Sequence, residues 1–305
     1  CRRVTTHTDA LRPGQHRVCR RGPLHRETPT MQSMTNDEWS GPVTVEEMYG
    51  EWDWEAAVAA VDRSLEPRPS SSFIDMFGAL GPGPDDVVLD IGGRDAQLGL
   101  KLAERFGCRV ISVDPAAANI ADAKVAISDH EYGHLVEAVH GFIEEIPADD
   151  GAFGFVVSRD MFAHIADANR ALAECVRVLG PNGLMMLHQV FATDLLEPIE
   201  AGQVFGHTAA VPERLNVGGF EAAAAAVGFR IENVEVLGSE WYEASQEAGT
   251  APNYLLQVSR LRRNKEALLE EIGEVAYRVV YGTALWTINQ ILGKLESRVY
   301  TLRRA

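Results

Sequence analysis

Short apolar runs alternate with amphipathic segments through the middle of the chain. Five runs have the length and composition of strands buried on both faces; they are 87–91, 109–113, 135–139, 153–157 and 184–187. Between them, apolar residues recur at helical spacing in segments such as about 96–106, 116–127 and 167–179. Strands that alternate with helices of this length predict βαβ crossovers and a doubly wound parallel sheet.

The flanking segments have longer helical patterns. One helix is predicted over 45–65, where two prolines follow, and a shorter one over 71–80. After 217–228, which is rich in alanine, a sixth strand is predicted at 231–237. A mostly helical insertion then spans 241–295. We therefore expect an α/β, Rossmann-like, seven-stranded sheet with an N-terminal helical lid and a helical insertion before the last strand.

The domain boundaries follow from these patterns. Residues 1–34 have almost no aliphatic side chains and carry seven arginines against two acidic residues, so we expect a disordered basic arm that is not native. Residues 35–305 are expected to form one domain, with a core of about 71–237 and a last strand over 297–303. The apolar stripe of the insertion predicts packing on the sheet or over a pocket, with a dimer face as the second choice. Monomer and homodimer both stay open.

Composition and charge narrow the class of protein. The chain is 46% hydrophobic and 24% charged, which is typical of a globular protein. Its formal charge of -16 becomes -21 for 35–305, and such acidity argues against nucleic acid as a partner. No stretch approaches the roughly 20 apolar residues of a membrane span. The four cysteines lack metal-site or disulfide spacing, so we expect no metal and a cytoplasmic protein.

A candidate ligand site follows the first two predicted strands. Gly92 and Gly93 come directly after the first strand, where backbone must approach a ligand closely, and Asp114 ends the second strand. An acidic residue there can accept hydrogen bonds from both hydroxyls of a ribose. Asp95 lies where a phosphate would be bound, which favours a cofactor without phosphate. The sequence therefore predicts a nucleoside-containing cofactor of this kind.

Four segments resemble the successive motifs of class I S-adenosylmethionine-dependent methyltransferases; they are 88–93, 113–114, 155–160 and 178–183. The resemblance covers about 71–237 and implies that S-adenosylmethionine is the cofactor and S-adenosylhomocysteine the product. It places Asp90 and Gly92 along the methionine and ribose portion and Asp114 on the ribose. Gly93 and Ser158 complete the expected cofactor-binding set.

Two departures from the family pattern affect this site. The family usually has glycine at the positions of Arg94 and Ala96. It also commonly has an acidic residue that binds the adenine amino group, and alignment on Pro147 puts Phe142 there. We therefore expect adenine to be bound by stacking and backbone hydrogen bonds at Phe142.

A candidate catalytic segment follows the fourth strand, at the sheet edge where ligands bind in this architecture. If Asp160 opens a helical turn, His164 lies on the same face and both point into one pocket. A histidine with a carboxylate beside it suits the deprotonation of an amine or hydroxyl acceptor. The segment is similar to the catalytic segment of phosphoethanolamine methyltransferases. This likeness implies that Asp160 orients the acceptor and His164 acts as base or gate.

Further pocket residues are expected from position. The same likeness calls for an N-terminal tyrosine, and Tyr49 in the predicted lid is the best placed. His188 ends the fifth strand and is expected either as a second pocket base or as a polar strand end. Aromatic walls around the acceptor are predicted from Trp52, Trp54, Trp241 and Tyr242.

The leading hypothesis is an enzyme that methylates N, O or C of a small molecule, as in specialised metabolism. A C-methyltransferase for an indole or prenyl chain is the nearest alternative, because a carboxylate would stabilise a carbocation. A cofactor-binding regulatory protein without catalysis is the alternative from another class. A nicotinamide-dependent oxidoreductase is the third.

Overall fold

Seven strands form one sheet in the order β3-β2-β1-β4-β5-β7-β6 in a computed structural model that describes residues 41–305. The strands are β1 Val87–Ile91, β2 Arg109–Asp114, β3 Val136–His140, β4 Phe153–Arg159, β5 Leu179–Ala192, β6 Phe229–Gly238 and β7 Leu295–Arg304. Strands β1 to β5 pair in parallel, whereas β7 is antiparallel to both β5 and β6. The predicted α/β fold with seven strands is confirmed. The predicted basic arm of 1–34 lies outside the described residues.

Helices cover both faces and the carboxyl edge of this sheet. In chain order they are α1 Val45–Met48, α2 Trp54–Val61, α3 Ser72–Gly78, α4 Gln97–Phe106, α5 Ala117–Ser128, α6 Ala168–Val178, α7 Pro198–Thr208, α8 Val217–Ala226, α9 Glu240–Glu247, α10 Tyr254–Arg263, α11 Lys265–Ile272 and α12 Glu274–Ile291. None of those described has the length and apolar character that a membrane crossing requires.

The central strands bury both of their faces. Along β1, Val88 belongs to an apolar cluster with Phe73 and Phe77 of α3, whereas Leu89 belongs to a cluster on the opposite face with Leu172 of α6. Alternate residues of a strand point to opposite faces, so a strand covered on both sides must be apolar throughout. This explains why the uninterrupted apolar runs predicted the strands correctly.

The structure differs locally from the predicted elements. The single helix over 45–65 is two short helices, because the Asp53 side chain accepts a hydrogen bond of 2.9 Å from the Ala56 backbone and starts α2 as a new helix. Residues 180–183 are counted within β5 but interrupt its pairing with β4, which passes from Leu179 opposite Phe153 to Leu184 opposite Phe155, and Asn182 has a φ of 61°. The pattern of apolar residues also did not predict α7, which begins at a capping box formed by Glu197 and Glu200.

Candidate functional site

The turn after β1 requires glycine at two successive positions. The backbone N–H groups of Gly92 and Gly93 both donate to the Val113 carbonyl, at 2.8 and 3.2 Å, which pulls the turn against β2. Gly92 has a φ of +71°, and a Cβ on Gly93 would lie 1.7 Å from Ser112 Oγ. A side chain at either position would therefore disrupt the close approach of the turn to β2.

Arg94 and Ala96 keep the backbone shape that glycine favours. Their φ angles are 50° and 59°, so both lie in the left-handed region. Ala96 is the residue before α4, which begins without a side-chain cap. The two departures from the family pattern thus change the side chains of the turn and leave glycine-like backbone conformations in place.

Asp114 accepts three hydrogen bonds, one of which comes from the same turn. Its Oδ2 accepts from the Arg94 N–H at 3.1 Å, and its Oδ1 accepts from the Ala116 N–H at 2.8 Å and from Asn119 Nδ2 at 2.9 Å. A carboxylate has about four acceptor directions, so about one is left for a ribose hydroxyl. The sequence predicted bonds to both hydroxyls, and this role of Asp114 stays a prediction.

Asp90 lies beneath the turn and does not face the crevice above it. It is 1% exposed, and its Oδ2 accepts a hydrogen bond of 3.0 Å from Ser112 Oγ. A Cβ on Gly93 would be 2.8 Å from the same oxygen. Burial raises the pKa of Asp90 to about 6. Asp90 therefore supports the turn from under Gly93, and its predicted place along the cofactor stays a prediction.

The end of β4 brings polar groups to the crevice beside this turn. Ser158 is fully buried, and its Oγ has no hydrogen-bond partner among residues 41–305. Asp160 has a φ of 53°, and its N–H donates to the His188 carbonyl at 2.9 Å. The next side chain, Met161, lies against Gly92, since a Cβ on that glycine would be 2.6 Å from Met161 Sδ. The catalytic segment and the glycine turn therefore meet at this point.

Asp160 carries a buried acceptor that no described residue satisfies. Its Oδ1 is buried without a hydrogen-bond partner among residues 41–305. Burial raises the pKa of Asp160 to about 7, and the Arg159 guanidinium opposes part of that rise. A carboxyl group with this pKa exchanges a proton near neutral pH.

Asp160 and His164 both line a cavity of about 670 Å³. The other lining residues come from the loop after β4 and from α7, α9, α10 and α12; they include Phe205, His207, Tyr242, Tyr254, Arg278, Thr283, Trp286 and Thr287. Burial and the Asp160 carboxylate raise the pKa of Tyr242 to about 12, which indicates that the two side chains are near each other. The cavity wall thus combines several aromatic side chains with polar ones and with one carboxyl group, that of Asp160.

His164 lines this cavity, although it does not share a helical turn with Asp160 as predicted. It ends a short 3-10 helix over Phe162–His164, and the left-handed Asp160 lies before that helix. Its Nδ1 lies 3.2 Å from the Ala209 carbonyl oxygen, which can only accept, so Nδ1 carries the proton and Nε2 has the free lone pair. The expected proximity of the two side chains to one cavity is present, although not through helical spacing.

His188 and Trp241 lie behind the cavity wall. His188 is 6% exposed, and its ring stacks on Trp241 with the ring centroids 4.6 Å apart. The Trp241 indole N–H donates to Ser72 Oγ at 3.1 Å. Neither residue lines the cavity, so of the side chains predicted to wall the acceptor Tyr242 is the one that does.

Tyr49, Trp52 and Phe142 lie on the surface. Tyr49 is 79% exposed, and Trp52 is 47% exposed and packs on Trp54. Phe142 is 55% exposed and lies edge-on to His140 beside a second, more open cavity of about 780 Å³. Tyr49 and Trp52 therefore do not line the first cavity, and α1 and α2 bury none of their residues, whereas the role of Phe142 at adenine stays a prediction.

The strand ends suit a cofactor such as S-adenosylmethionine. The unpartnered Ser158 Oγ and Asp160 Oδ1 lie at the carboxyl ends of the strands next to a glycine turn with no room for side chains. This is the position where ligands bind in open α/β sheets. Residues 41–305 contain no group of three or more His, Cys, Asp or Glu side chains arranged for a metal.

Comparisons with known proteins agree with this geometry. Residues 89–187 match the sequence family described as Methyltransferase domain. The chain is 35% identical over 101 residues to sarcosine/dimethylglycine N-methyltransferase of Halorhodospira halochloris. The aligned region covers 33% of this chain and 36% of the relative. It is 34% identical over 118 residues to ubiquinone biosynthesis O-methyltransferase of Maricaulis maris strain MCS10. Here the aligned region covers 38% of this chain and 45% of the relative. The chain thus spans less than half the length of these curated relatives.

The fold is shared with solved methyltransferases. Geranyl diphosphate C-methyltransferase from Streptomyces coelicolor A3(2), solved with S-adenosyl-L-homocysteine, aligns with a TM-score of 0.60 and 15% identity over 77% of this chain and 76% of that one. The matched segment 89–187 contains the glycine turn and the strand-end residues described above. Over residues 89–187 the chain therefore matches the Methyltransferase domain family, which supports a class I S-adenosylmethionine-dependent methyltransferase.

Proposed function

We propose that this chain transfers a methyl group from S-adenosylmethionine to a small molecule bound in the cavity of about 670 Å³, and that the acceptor is an amine. The observation that carries the proposal is the position of Asp160. Its buried, unpartnered carboxyl oxygen belongs to the cavity wall, and the adjacent Met161 lies against the glycine turn. An ammonium group would pair with that carboxylate.

The chain's own residues would prepare the acceptor. When bound, S-adenosylmethionine supplies a methyl group on a cationic sulfur, which a nucleophile displaces. An amine reacts only after it loses a proton, and a carboxylate with a pKa near 7 can accept that proton at neutral pH. His164 Nε2, left with a free lone pair by the bond at Nδ1, is the second candidate base. Tyr242 and Trp286 would exclude water around the reacting nitrogen.

The aromatic wall also supports a second candidate acceptor. Tyr242, Tyr254 and Trp286 present π faces that stabilise a positive charge, whether an ammonium or a carbocation. C-methylation of an indole or prenyl chain would develop such a carbocation. The acceptor panel should therefore contain amines, indoles and prenyl compounds.

The test combines binding with turnover. Calorimetry should show binding of S-adenosylhomocysteine, and the acceptor panel should reveal methyl transfer whose rate rises with pH through about 7. Asp160→Asn should remove that dependence and lower kcat by about 100-fold or more, the range typical of general base catalysis. His164→Ala tests the second base, and His134→Ala, an exposed histidine outside the cavity, is the matched control.

The competing hypotheses have distinct outcomes. Cofactor binding without turnover on any acceptor, and without effect of the Asp160 and His164 substitutions, would identify a regulatory cofactor-binding protein. Preference for NAD over S-adenosylhomocysteine would identify an oxidoreductase. The N-terminal lid and the monomer or homodimer state stay predictions.

A further inference from the structure

Arg159 brings a cation to the end of a central strand of the sheet. It is the last residue of β4, which lies between β1 and β5, and its side chain is exposed. The guanidinium carbon lies 5.9 Å from the centroid of the Phe73 ring. No ion pair or side-chain hydrogen bond joins it to any of residues 41–305.

Acidic groups surround this guanidinium without bonding to it. Burial raises the pKa of both Asp90 and Asp160, and the charge of Arg159 offsets part of that rise. The same charge adds to the lowering of the His188 pKa by burial. The side chain is therefore near all three groups. Ser112 already donates to Asp90, and Asp160 belongs to the cavity wall, so Arg159 has its hydrogen-bonding donors available.

The cofactor brings an anionic group to this acidic site. The amino-acid tail of S-adenosylmethionine ends in a carboxylate, which Asp90, Asp114 and Asp160 would repel. An arginine counters that repulsion and can donate two parallel hydrogen bonds to a carboxylate. The guanidinium also lies within cation–π range of the Phe73 ring, which favours its position at this end of the strand.

We propose that Arg159 binds the carboxylate of the cofactor's amino-acid tail, and this rests on the proposed function. Arg159 and Asp160, which are adjacent in sequence, then have different roles in the site. Arg159 extends over Phe73 of α3, whereas Asp160 lines the acceptor cavity. Strand β4 would thus present the cation to the tail and the carboxylate to the acceptor.

Two ligands that differ only in the tail test this assignment. S-Adenosylhomocysteine has the carboxylate, whereas 5′-methylthioadenosine lacks the whole amino-acid portion. Calorimetry should show that Arg159→Gln weakens binding of S-adenosylhomocysteine by about 10- to 100-fold, as expected for loss of a charge-assisted hydrogen bond, and leaves methylthioadenosine unchanged. Arg159→Lys, which keeps the charge without the fork, should give a smaller loss. Arg105→Gln on the outer end of α4 is the matched control.

The remaining outcomes each overturn the assignment. Equal loss of both ligands would mean that Arg159 shapes the crevice without contacting the tail. Unchanged binding of S-adenosylhomocysteine in Arg159→Gln, or equal affinity of the wild type for both ligands, would mean that the tail carboxylate is bound elsewhere or contributes nothing. If the wild-type protein binds neither ligand, the proposed function itself fails, which the wild-type titration alone reveals.

Discussion

His188 of β5 stacks on Trp241 of α9 with the ring centroids 4.6 Å apart and the ring planes inclined by 30°. The imidazole is buried, and its Nε2 has no hydrogen-bond partner among residues 41–305. Burial lowers the pKa of His188 to about 3, and the charge of Arg159 contributes to the same direction. The ring is therefore neutral in the folded protein throughout the physiological range.

This histidine should make folding sensitive to acid. The folded pKa of about 3 lies below the unfolded value of 6.5, so His188 leaves stability unaffected above pH 6.5 and lowers it progressively as pH falls toward 3. Each pH unit in that window lowers the free energy of unfolding by about 1.4 kcal/mol, so the loss is about 2 kcal/mol by pH 5. Urea unfolding of wild type and His188→Phe at pH 7.5, 6 and 5 should show the variant losing less stability. Asp90 and Asp160 titrate in both proteins, so parallel pH curves would contradict the prediction.

Gly93 lies so close to Ser112 that no methyl group fits between them. A Cβ on Gly93 would lie 1.7 Å from Ser112 Oγ, so Gly93→Ala should destabilise the protein by about 3 kcal/mol, at the upper end of overpacking costs. Ser112→Ala removes the clashing oxygen, so the double variant should recover part of that loss. The free energies of unfolding from a double-mutant cycle measure the coupling.

Gly202→Ala is the control for this pair. Gly202 lies on α7, and a Cβ there meets nothing within 4 Å, so alanine should be neutral or stabilise by up to about 1 kcal/mol. Additive effects of Gly93→Ala and Ser112→Ala would show that the turn does not depend on their close approach.

Arg94 is strained, and glycine should relieve that strain. Its side chain is exposed and its φ is 50°, a conformation that costs an L-residue about 1 kcal/mol or more. Arg94→Gly should therefore raise the free energy of unfolding by about 1 kcal/mol and Tm by about 2–3 °C. Arg94→Ala loses the same charge and keeps the strain, so thermal denaturation should separate the two variants. Equal Tm values would indicate that the turn is not strained at Arg94.

The fold was predictable because its information is local. Strand β1 is apolar at every position except Asp90, and the alternation of such runs with helical segments indicates the sheet. The glycine turn and Asp114 were predictable for the same reason, since the turn directly follows one predicted strand and Asp114 ends the next. What those residues do within the turn was not, because Asp90 and Asp114 make their bonds to Ser112 and to backbone N–H groups that only the folded turn brings together.

The acceptor cavity was far less predictable. Phe205 and Trp286 line it from α7 and α12, which are distant in the chain and carry no motif that links them. The stacking of His188 on Trp241 is likewise a tertiary contact between separate elements. Asp160 and His164 were found because they are close in sequence, and they share the cavity although the backbone between them is not a regular helix.

Helices α1 and α2 expose the apolar side chains that a lid would bury. Neither helix has a buried residue, and Trp52 and Trp54 are 47% and 67% exposed. Closure over bound ligand should move these indoles out of water, because burying such large apolar surfaces is favourable. Addition of S-adenosylhomocysteine with an acceptor should therefore shift tryptophan emission to shorter wavelength and reduce its quenching by acrylamide. The double variant Trp52→Phe/Trp54→Phe should bind the same ligand without that shift, whereas a shift of equal size in the variant would assign it to other tryptophans and exclude these helices as the lid.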